Sequence, residues 1–294
     1  MVEAAEPENG IYQRSEFPRD RYDAIGRRVN FSTAKEMARS PEHYAHAVKH
    51  GGGPDTNPRK LGRVTHMAVF EPEAFVSGVE VWEGKARRGG AWEEFQGANE
   101  GKELVTRAEY FQVCAIAKAV REHPIAGKYT CGGAGEMTLL WTHKVEPIGG
   151  LDGYALDCRA RVDYLTQSFI SDLKVVRDAS PDGFGRACCN YRTFTQAAVY
   201  SDAVKVLTGR DLPYYLLAVE SSAPYSVAVY RVPDEVLAIG RDEYRGWFDR
   251  IHACRRDAKW PGYAEAEMEL TLPRWAAPSA EDVSAEELDL EVGG

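Results

Sequence analysis

The chain has 294 residues, of which 44% are hydrophobic and 28% charged, and its net charge is −9 at pH 7. These proportions are ordinary for a folded globular protein, and the length allows one large domain or two modest ones. No run of about 18 apolar residues is present, so we expect neither a transmembrane helix nor a membrane partner. The acidic first residues lack the apolar segment of a signal peptide, and the six cysteines include no CxxC pair. These features favour reduced thiols and a cytoplasmic location.

The negative net charge argues against nucleic acid as a partner, but its distribution weakens that argument. Six acidic residues and no basic one lie in the stretch 281–294. Local positive clusters also matter more to a DNA-binding enzyme than its total charge. Charge therefore leaves a nucleic-acid function open.

The N-terminal third is predicted to be helical after a polar start. Residues 1–30 contain several prolines and glycines, which predict an extended polar arm. Thr33 and Glu36 have the spacing of a capping box, so a helix is expected to begin there. A second helix is predicted from Ser40, with proline at its first position. A short apolar helix over 61–72 should end at the proline that closes it.

A glycine-rich and partly basic segment separates this region from the next helix. The segment 83–102 contains Lys85, Arg87 and Arg88 beside a Gly-Gly pair, and it predicts a long mobile loop. Thr106 and Glu109 then form a second capping-box pattern. The apolar residues that follow recur with a period of 3.6, which predicts an amphipathic helix.

The second half of the chain alternates between strand and helix patterns. Strands are predicted over 136–143, 154–164, 169–176, 214–220 and 226–232, and helices over 184–207 and 234–257. The order of one helix, three strands, one helix and one strand predicts an α/β domain with a mixed sheet flanked by helices. The acidic stretch 266–294 has the composition of a disordered tail. Nothing repeats with a period of 20 to 50 residues, which excludes solenoids and propellers.

The strands over 154–164 and 169–176 concentrate charge at one point. Asp172 and Lys174 are two residues apart and therefore share a face, and a turn at 166–168 can fold Asp163 back beside them. Leu156, Cys158, Ala160 and Val162 share the opposite, apolar face of the first strand. Neighbouring carboxylates repel each other, and a divalent cation removes that cost. Hard oxygen ligands suit Mg²⁺ or Mn²⁺, so a metal site is plausible here.

The helix that follows these strands carries polar side chains at regular intervals. Arg192, Gln196 and Tyr200 are spaced four residues apart and should lie on one face. A helix packed across the sheet can direct that face toward Asp163 and Asp172. We expect these side chains to join the site.

These residues resemble a known nuclease superfamily. Asp163 followed by Asp172-Leu173-Lys174 is similar to the PD-(D/E)xK signature, and Gln196-Ala-Ala-Val-Tyr200 resembles the QxxxY motif of its RecB-like branch. Two departures are visible: Val162 stands where the name-giving proline is expected, and the second acid is aspartate. Further segments in the same order resemble RecE-type, exonuclease VIII-like phage recombination nucleases: Leu61-Gly62 with His66, Glu71-Pro72, the basic segment 85–92, Asp178-Ala-Ser, Ala218-Val-Glu220 and Trp260-Pro-Gly-Tyr263.

The resemblance implies a fold, an activity and partners. The implied fold is the restriction-endonuclease-like αβββαβ core, here over residues 31–265. The implied activity is Mg²⁺-dependent digestion of one strand of linear double-stranded DNA from the 5′ end, which leaves a 3′ overhang, and Mn²⁺ is expected to substitute. Members are expected to form ring-shaped homo-oligomers, tetramers or trimers, and to work beside a RecT-like single-strand annealing protein.

The resemblance also assigns roles at the metal. Asp163 and Asp172, with the Leu173 carbonyl oxygen, would hold the metal, and His66 would be either an extra ligand or a group that contacts the ligands. Lys174 would stabilise or help deprotonate the attacking water, for which a lowered pKa is expected. The alternative for the two acids and the lysine is a structural ion pair. A histidine on an apolar helix is otherwise a satisfied core residue.

Other residues receive supporting roles. Gln196 would orient the water or the scissile phosphate, and Tyr200 would hydrogen-bond nearby, although a tyrosine on a packed helix often only packs. Glu136 is either an additional acid at the site or an exposed residue at a strand end. The side chains expected to grip DNA phosphates, unless they are merely solvated, are Arg87, Arg88, Lys102 and Arg192.

Two other functions stay open. A PD-(D/E)xK protein can be an endonuclease or a single-strand nuclease instead of an exonuclease. A protein of this fold can also be a catalytically inactive DNA-binding module, although such a module has no need of Asp163, Asp172, Lys174 and Gln196 together. The cysteine spacing disfavours an iron–sulfur nuclease.

Overall fold

A mixed six-stranded sheet lies at the centre of this computed structural model, which describes residues 6–51, 56–147 and 152–273. The strands are β1 (Gly10–Tyr12), β2 (Val79–Trp82), β3 (Glu103–Thr106), β4 (Gly133–Val145), β5 (Tyr154–Thr166), β6 (Ile170–Val176), β7 (Tyr214–Glu220) and β8 (Val227–Val232). Their order in the sheet is β1-β4-β5-β6-β7-β8, with β6 and β7 parallel and the other neighbours antiparallel. Strands β2 and β3 form a separate parallel pair.

Helices cover both faces of this sheet. They are α1 (Arg19–Ala24), α2 (Phe31–Ala34), α3 (Pro41–His50), α4 (Asn57–Phe70), α5 (Pro72–Gly78), α6 (Gly90–Ala98), α7 (Arg107–Glu122), α8 (Pro181–Tyr191), α9 (Thr193–Thr208) and α10 (Asp234–Asp257). Short 3₁₀ turns occupy Lys35–Ala38 and Ala126–Tyr129. The succession of α7, three strands, α8 with α9, and β7 confirms the predicted αβββαβ core. None of the described helices has the length and apolar character needed to cross a membrane.

The sheet separates two hydrophobic cores. On one face, the residues of β5 at 156, 158, 160 and 162 pack with α9 and α10. On the other face, Leu173 and Leu217 pack with α4 and α7. The first four residues of β6, from Ile170 to Leu173, are consequently all buried. Burial on both faces is usual for strands in the middle of a sheet covered by helices, and here it carries an aspartate into the interior.

The segment predicted as an extended polar arm packs on the domain where it is described. Strand β1 pairs with β4 at the edge of the sheet. Phe17 is fully buried, and Arg28 is largely buried and donates to the Pro7 carbonyl and the Asn9 side chain. The apolar residues of this segment are widely spaced and show no helix or strand period. The polar composition therefore predicted an extended arm, although the segment packs on the domain.

Three local expectations differ from the structure. The predicted mobile loop 83–102 contains α6, which Trp92 and Phe95 fix against Trp82 of β2. Helix α2 is capped by Asn30, whose side chain accepts from the Thr33 N–H, and not by Thr33 itself. The predicted helix 184–207 is two helices that break at Arg192, which has a left-handed φ of 58°. Arg192 therefore does not share a helical face with Gln196.

The C-terminal region divides from the rest at residue 261. Residues 261–273, the described part of this unit, contain no helix or strand. The remainder of the predicted acidic tail, residues 274–294, lies outside the described residues.

Candidate active site

The site lies where β5 and β6 separate. These two strands pair only between Tyr164 and Ser171 and between Leu165 and Ile170. Asp163 and Asp172 are the next residues beyond the last pair, so both stand at the fork. The hairpin predicted from the sequence is therefore present, and it brings the two carboxylates together as expected.

His66 of the site lies on helix α4. Its buried residues, among them Val64, Met67 and Ala68, face the core and fix the rotation of the helix. That rotation places His66 Nδ1 3.1 Å from Oδ2 of Asp163. The same carboxylate oxygen accepts a hydrogen bond of 3.0 Å from the backbone N–H of Leu173. Asp163 is thus held by both α4 and β6.

Strand β4 contributes a third acid through a strained backbone. Glu136 has a φ of 52°, a conformation that costs a non-glycine residue about 1–3 kcal/mol. The carboxylates of Glu136 and Asp163 and the imidazole of His66 form one group. Their possible ligand atoms lie within 4.8 Å of one another. The neighbouring Gly135 allows close packing, because a Cβ there would lie 2.8 Å from Cγ of Glu71. The structure thus favours the site role of Glu136 over an exposed strand end.

A chain of polar contacts links β6 to α9. Lys174 forms an ion pair with Asp172 on its own strand. Lys174 Nζ also donates to Oε1 of Gln196 at 3.1 Å. Gln196 Nε2 in turn donates to the hydroxyl of Tyr200, one turn further along the helix, at 3.2 Å. The predicted convergence of α9 on the acidic strands is present for Gln196 and Tyr200.

Charge repulsion and burial dominate the acids of the site. Burial, with the nearby charge of Asp163, raises the pKa of Asp172 to about 6. Burial and Asp163 also raise the pKa of Glu136. For Asp163 burial acts in the same direction, but the adjacent His66 outweighs it and lowers the pKa. The protein therefore holds the carboxylates of Asp172 and Glu136 at a cost that an opposing charge would remove.

The two basic groups stay protonated in the metal-free protein. Burial lowers the pKa of His66, but the Asp163 carboxylate outweighs burial and raises it to about 9. Burial likewise opposes the charge of Lys174, but Asp172 and Asp163 raise its pKa. The lowered lysine pKa is expected beside a bound metal and stays a prediction; without metal, the two nearby carboxylates raise the pKa of Lys174.

The donor set fits a divalent cation. Carboxylate oxygens with one imidazole nitrogen suit Mg²⁺ and Mn²⁺. Both oxygens of Asp172 are buried, and the carboxylate forms an ion pair with Lys174 and lies beside Tyr214. A divalent cation would oppose the charge of these neighbouring carboxylates.

A family comparison agrees with this geometry. Residues 30–270 match the family described as PDDEXK-like domain of unknown function (DUF3799). The chain belongs to this PDDEXK-like family. That membership, with the site geometry, supports a nuclease, a class of enzymes that uses divalent metals. A comparison with curated proteins gave no match.

One solved structure supports the fold of this PDDEXK-like protein. A protein from Eubacterium rectale described as a "putative exonuclease" is similar over 93% of this chain and 98% of its own, with a TM-score of 0.57 and 14% identity. At that identity the likeness concerns the fold alone. A second structure, of a protein named SSO0001, has a TM-score of 0.30 and 12% identity over 74% of this chain and 75% of its own.

Three of the four predicted DNA-binding residues of this PDDEXK-like protein form internal ion pairs. Arg87 pairs with Glu109, Lys102 Nζ lies 2.5 Å from Glu80, and Arg192 pairs with Glu243. Arg88 is exposed and forms no ion pair with any residue that the structure describes. Their role in DNA binding stays a prediction, as does metal ligation by the Leu173 carbonyl oxygen.

One residue next to the acids was not predicted from the sequence. Tyr214, the first residue of β7, is almost fully buried. Burial and the charges of Asp172 and Asp163 raise its pKa well above the ordinary value. Strand β7 runs parallel to β6, so Tyr214 and Leu216 lie beside Ile170 and Asp172. The parallel pairing of β6 with β7 is a long-range property, and no local motif could have indicated it.

Proposed function

We propose that this protein is a divalent-metal-dependent exonuclease that digests one strand of linear double-stranded DNA from the 5′ end. The single-stranded 3′ overhang would serve recombination by strand annealing. The observation that carries the proposal is the group formed by His66, Glu136 and Asp163 from three different elements, with Asp172 and Lys174 of β6 beside it. The resemblance of the motif order to RecE-type nucleases supports the direction of digestion.

His66, Glu136, Asp163 and Asp172 would hold the cation. When bound, Mg²⁺ or Mn²⁺ acts as a Lewis acid toward the phosphate and lowers the pKa of a ligated water. Asp163 is kept in place by the Leu173 N–H, so its oxygen needs little reorganisation. The carboxylates of Glu136 and Asp172 become favourable when a cation opposes their mutual repulsion.

Lys174 would stabilise the charge that develops on the phosphate. Its ammonium is held between Asp172 and Gln196, and it is protonated. A preorganised cation beside the phosphoryl oxygens lowers the barrier without moving a proton. Gln196 would keep this ammonium directed into the site, and Tyr200 would fix the amide of Gln196 through its hydroxyl.

The proposed assembly follows from the family resemblance. We propose a ring-shaped homo-oligomer, a trimer or tetramer, because a ring holds the enzyme on a linear end between successive cleavages. A single-strand annealing protein of the RecT type would then receive the overhang. Light scattering of the purified protein tests the ring, and co-purification with the annealing protein tests the partner.

Digestion of labelled linear duplex tests the activity. With Mg²⁺ or Mn²⁺, the wild-type protein should release a 5′ label first and retain a 3′ label. Asp172→Asn and Lys174→Ala should lose activity by about a hundredfold or more while remaining folded. Lys118→Ala, on the exposed face of α7, is the matched control.

The same assay separates the alternatives. Cleavage of covalently closed circular DNA would replace the exonuclease with an endonuclease. Preference for single strands would assign a single-strand nuclease. Binding of DNA without cleavage under both cations, by a folded protein, would leave a DNA-binding module.

A further inference from the structure

Arg161 borders the candidate metal group on strand β5. It precedes Asp163 by two positions, so the two side chains leave the same face of the strand. Its register partner on the neighbouring strand β4 is Thr138. Nη1 of Arg161 lies 3.8 Å from Oε2 of Glu136, which is two residues before Thr138. Glu136 forms no other ion pair with the part of the chain that the structure describes. The arginine thus contacts the metal group without belonging to it.

Hydrogen bonds fix the guanidinium of Arg161. Nη2 donates to the carbonyl oxygen of Phe17 at 2.8 Å and to the hydroxyl of Thr138 at 3.1 Å. The side chain is 9% exposed, so it offers little surface to a DNA phosphate. An arginine keeps its proton even when it is buried. Arg161 therefore places a permanent positive charge beside the Glu136 carboxylate.

Helix α1 packs on this arginine through Tyr22. The ring centroid of Tyr22 lies 4.8 Å from the guanidinium carbon of Arg161 and 4.6 Å from that of Arg159. Arg159 also donates to the backbone carbonyl of Tyr22. A guanidinium over an aromatic ring is attracted to it, and the attraction is stronger where water is excluded. Phe17 and Tyr22 thus connect the N-terminal segment to Arg161.

Glu136 is a ligand that needs support from its surroundings. Its backbone has the strained φ of 52°, and burial and Asp163 disfavour its charged form. Carboxylates that bind metals are held in the ligating orientation by contacts from the residues around them. A guanidinium has donors and no acceptor, so Arg161 cannot itself be a ligand. Its charge can hold Glu136 in place.

We propose that Arg161 is a positioning residue that holds the Glu136 carboxylate in its metal-binding orientation, and that Tyr22 holds Arg161. Helix α1 would then influence the metal affinity of the site although it contains none of the proposed ligands. This inference rests on the metal group of the proposed function. It also fixes the sign of the effect. A cation that only repelled the metal would strengthen metal binding when removed, whereas loss of a positioning residue weakens it.

Calorimetry of Mn²⁺ binding in the absence of DNA tests the inference. Arg161→Gln should weaken binding by about tenfold. In the Glu136→Gln protein the same substitution should cause no further loss, because the two residues act as one unit. Arg159→Gln is the matched control. It removes an equal charge from the same tyrosine ring but no ion pair with Glu136, so it should lose less affinity than Arg161→Gln.

Three results would overturn the inference: stronger Mn²⁺ binding by Arg161→Gln, additive losses in the double variant, or equal losses in Arg159→Gln and Arg161→Gln. If Arg161→Gln does not fold, Tyr22 decides. Tyr22→Leu should weaken Mn²⁺ binding by about threefold, while Tyr22→Phe keeps the ring and should bind as the wild type does. Equal affinity of these two variants would overturn the role of α1.

The wild-type protein separates this inference from the proposed function. A folded wild type that binds no Mn²⁺ would overturn both the metal group and the role of Arg161. Wild-type binding that Arg161→Gln leaves unchanged would overturn the role of Arg161 alone.

Discussion

Nδ1 of His66 lies 3.1 Å from Oδ2 of Asp163, which connects helix α4 to strand β5 across the candidate metal group. The two residues are 97 positions apart in sequence, and no local motif contains both. Because the histidine is protonated beside the acid, the metal-free site contains an ion pair where the metal-bound site would contain two ligands. Metal binding should therefore displace a proton from His66.

His66→Ala should weaken Mn²⁺ binding by at least about tenfold, since a nitrogen ligand is lost. Calorimetry in two buffers of different ionisation enthalpy would also show that the variant releases fewer protons on binding. His46→Ala changes an exposed histidine on α3 and serves as the control. Equal affinity and equal proton release in wild type and His66→Ala would remove His66 from the metal group.

Asp172→Asn should stabilise the metal-free protein at alkaline pH. The folded pKa of Asp172 is raised from 3.8 to about 6, so the folded state binds the proton more tightly than the unfolded chain does. The stability that this group contributes is complete below pH 3.8 and is lost as pH rises through about 6. An asparagine cannot ionise and avoids that loss, which corresponds to about 3 kcal/mol.

Urea unfolding in EDTA measures this effect. The gain of Asp172→Asn over wild type should be present at about pH 8 and should vanish as the pH falls to about 4. Asp23→Asn, in an exposed pair with Arg19, should show no comparable trend. A pH-independent difference between Asp172→Asn and wild type would contradict the assigned burial of an ionised Asp172.

Glu136→Gly should raise stability and also weaken metal binding. Glycine adopts a φ of 52° without a Cβ penalty, so the substitution should relieve about 1 kcal/mol of strain. Glu136→Gln keeps the strain and removes only the charge. Both variants should bind Mn²⁺ at least about tenfold more weakly by calorimetry. A Glu136→Gly protein that is less stable than Glu136→Gln would show that the backbone is not strained.

The sequence predicted those parts of the structure that local chemistry determines. The capping box of Thr106 and Glu109 is present with both of its hydrogen bonds, and α10 spans the predicted residues 234–257. The apolar face of β5 and the positions of Asp163 and Asp172 on their strands follow from the alternation of side chains along a strand. These features depend on neighbours within a few residues, which a sequence displays directly.

The features that the sequence did not predict depend on contacts between residues far apart in the chain. The positive φ of Glu136 and the break at Arg192 are conformations that non-glycine residues rarely adopt, so propensity argues against them. At Arg192 a tertiary contact outweighs propensity, because its side chain forms an ion pair with Glu243 of α10. Strand β1 is three residues long and joins the sheet only because β4 offers an edge. Local sequence patterns cannot indicate such contacts, because the two partners are far apart in the chain.

Arg87 and Arg88 are adjacent in sequence and should behave differently when each is replaced. Arg87 pairs with Glu109, whose carboxylate also accepts from the Thr106 N–H in the capping box of α7. Arg87→Gln should therefore lower the free energy of unfolding by about 1 kcal/mol, measured in urea. Arg88 has no such partner among the residues that the structure describes, so Arg88→Gln should leave stability unchanged.

Arg88→Gln should instead weaken DNA binding, because its charge is available to a phosphate. Anisotropy of labelled duplex in EDTA, measured across a salt series, should show a slope of log affinity against log salt that is smaller by about 0.9. Arg87→Gln should retain the wild-type slope once its folding is verified by circular dichroism. The opposite result, a reduced slope for Arg87→Gln alone, would mean that Arg87 leaves Glu109 to bind DNA. Equal slopes in all three proteins would remove this basic segment from the DNA-binding surface.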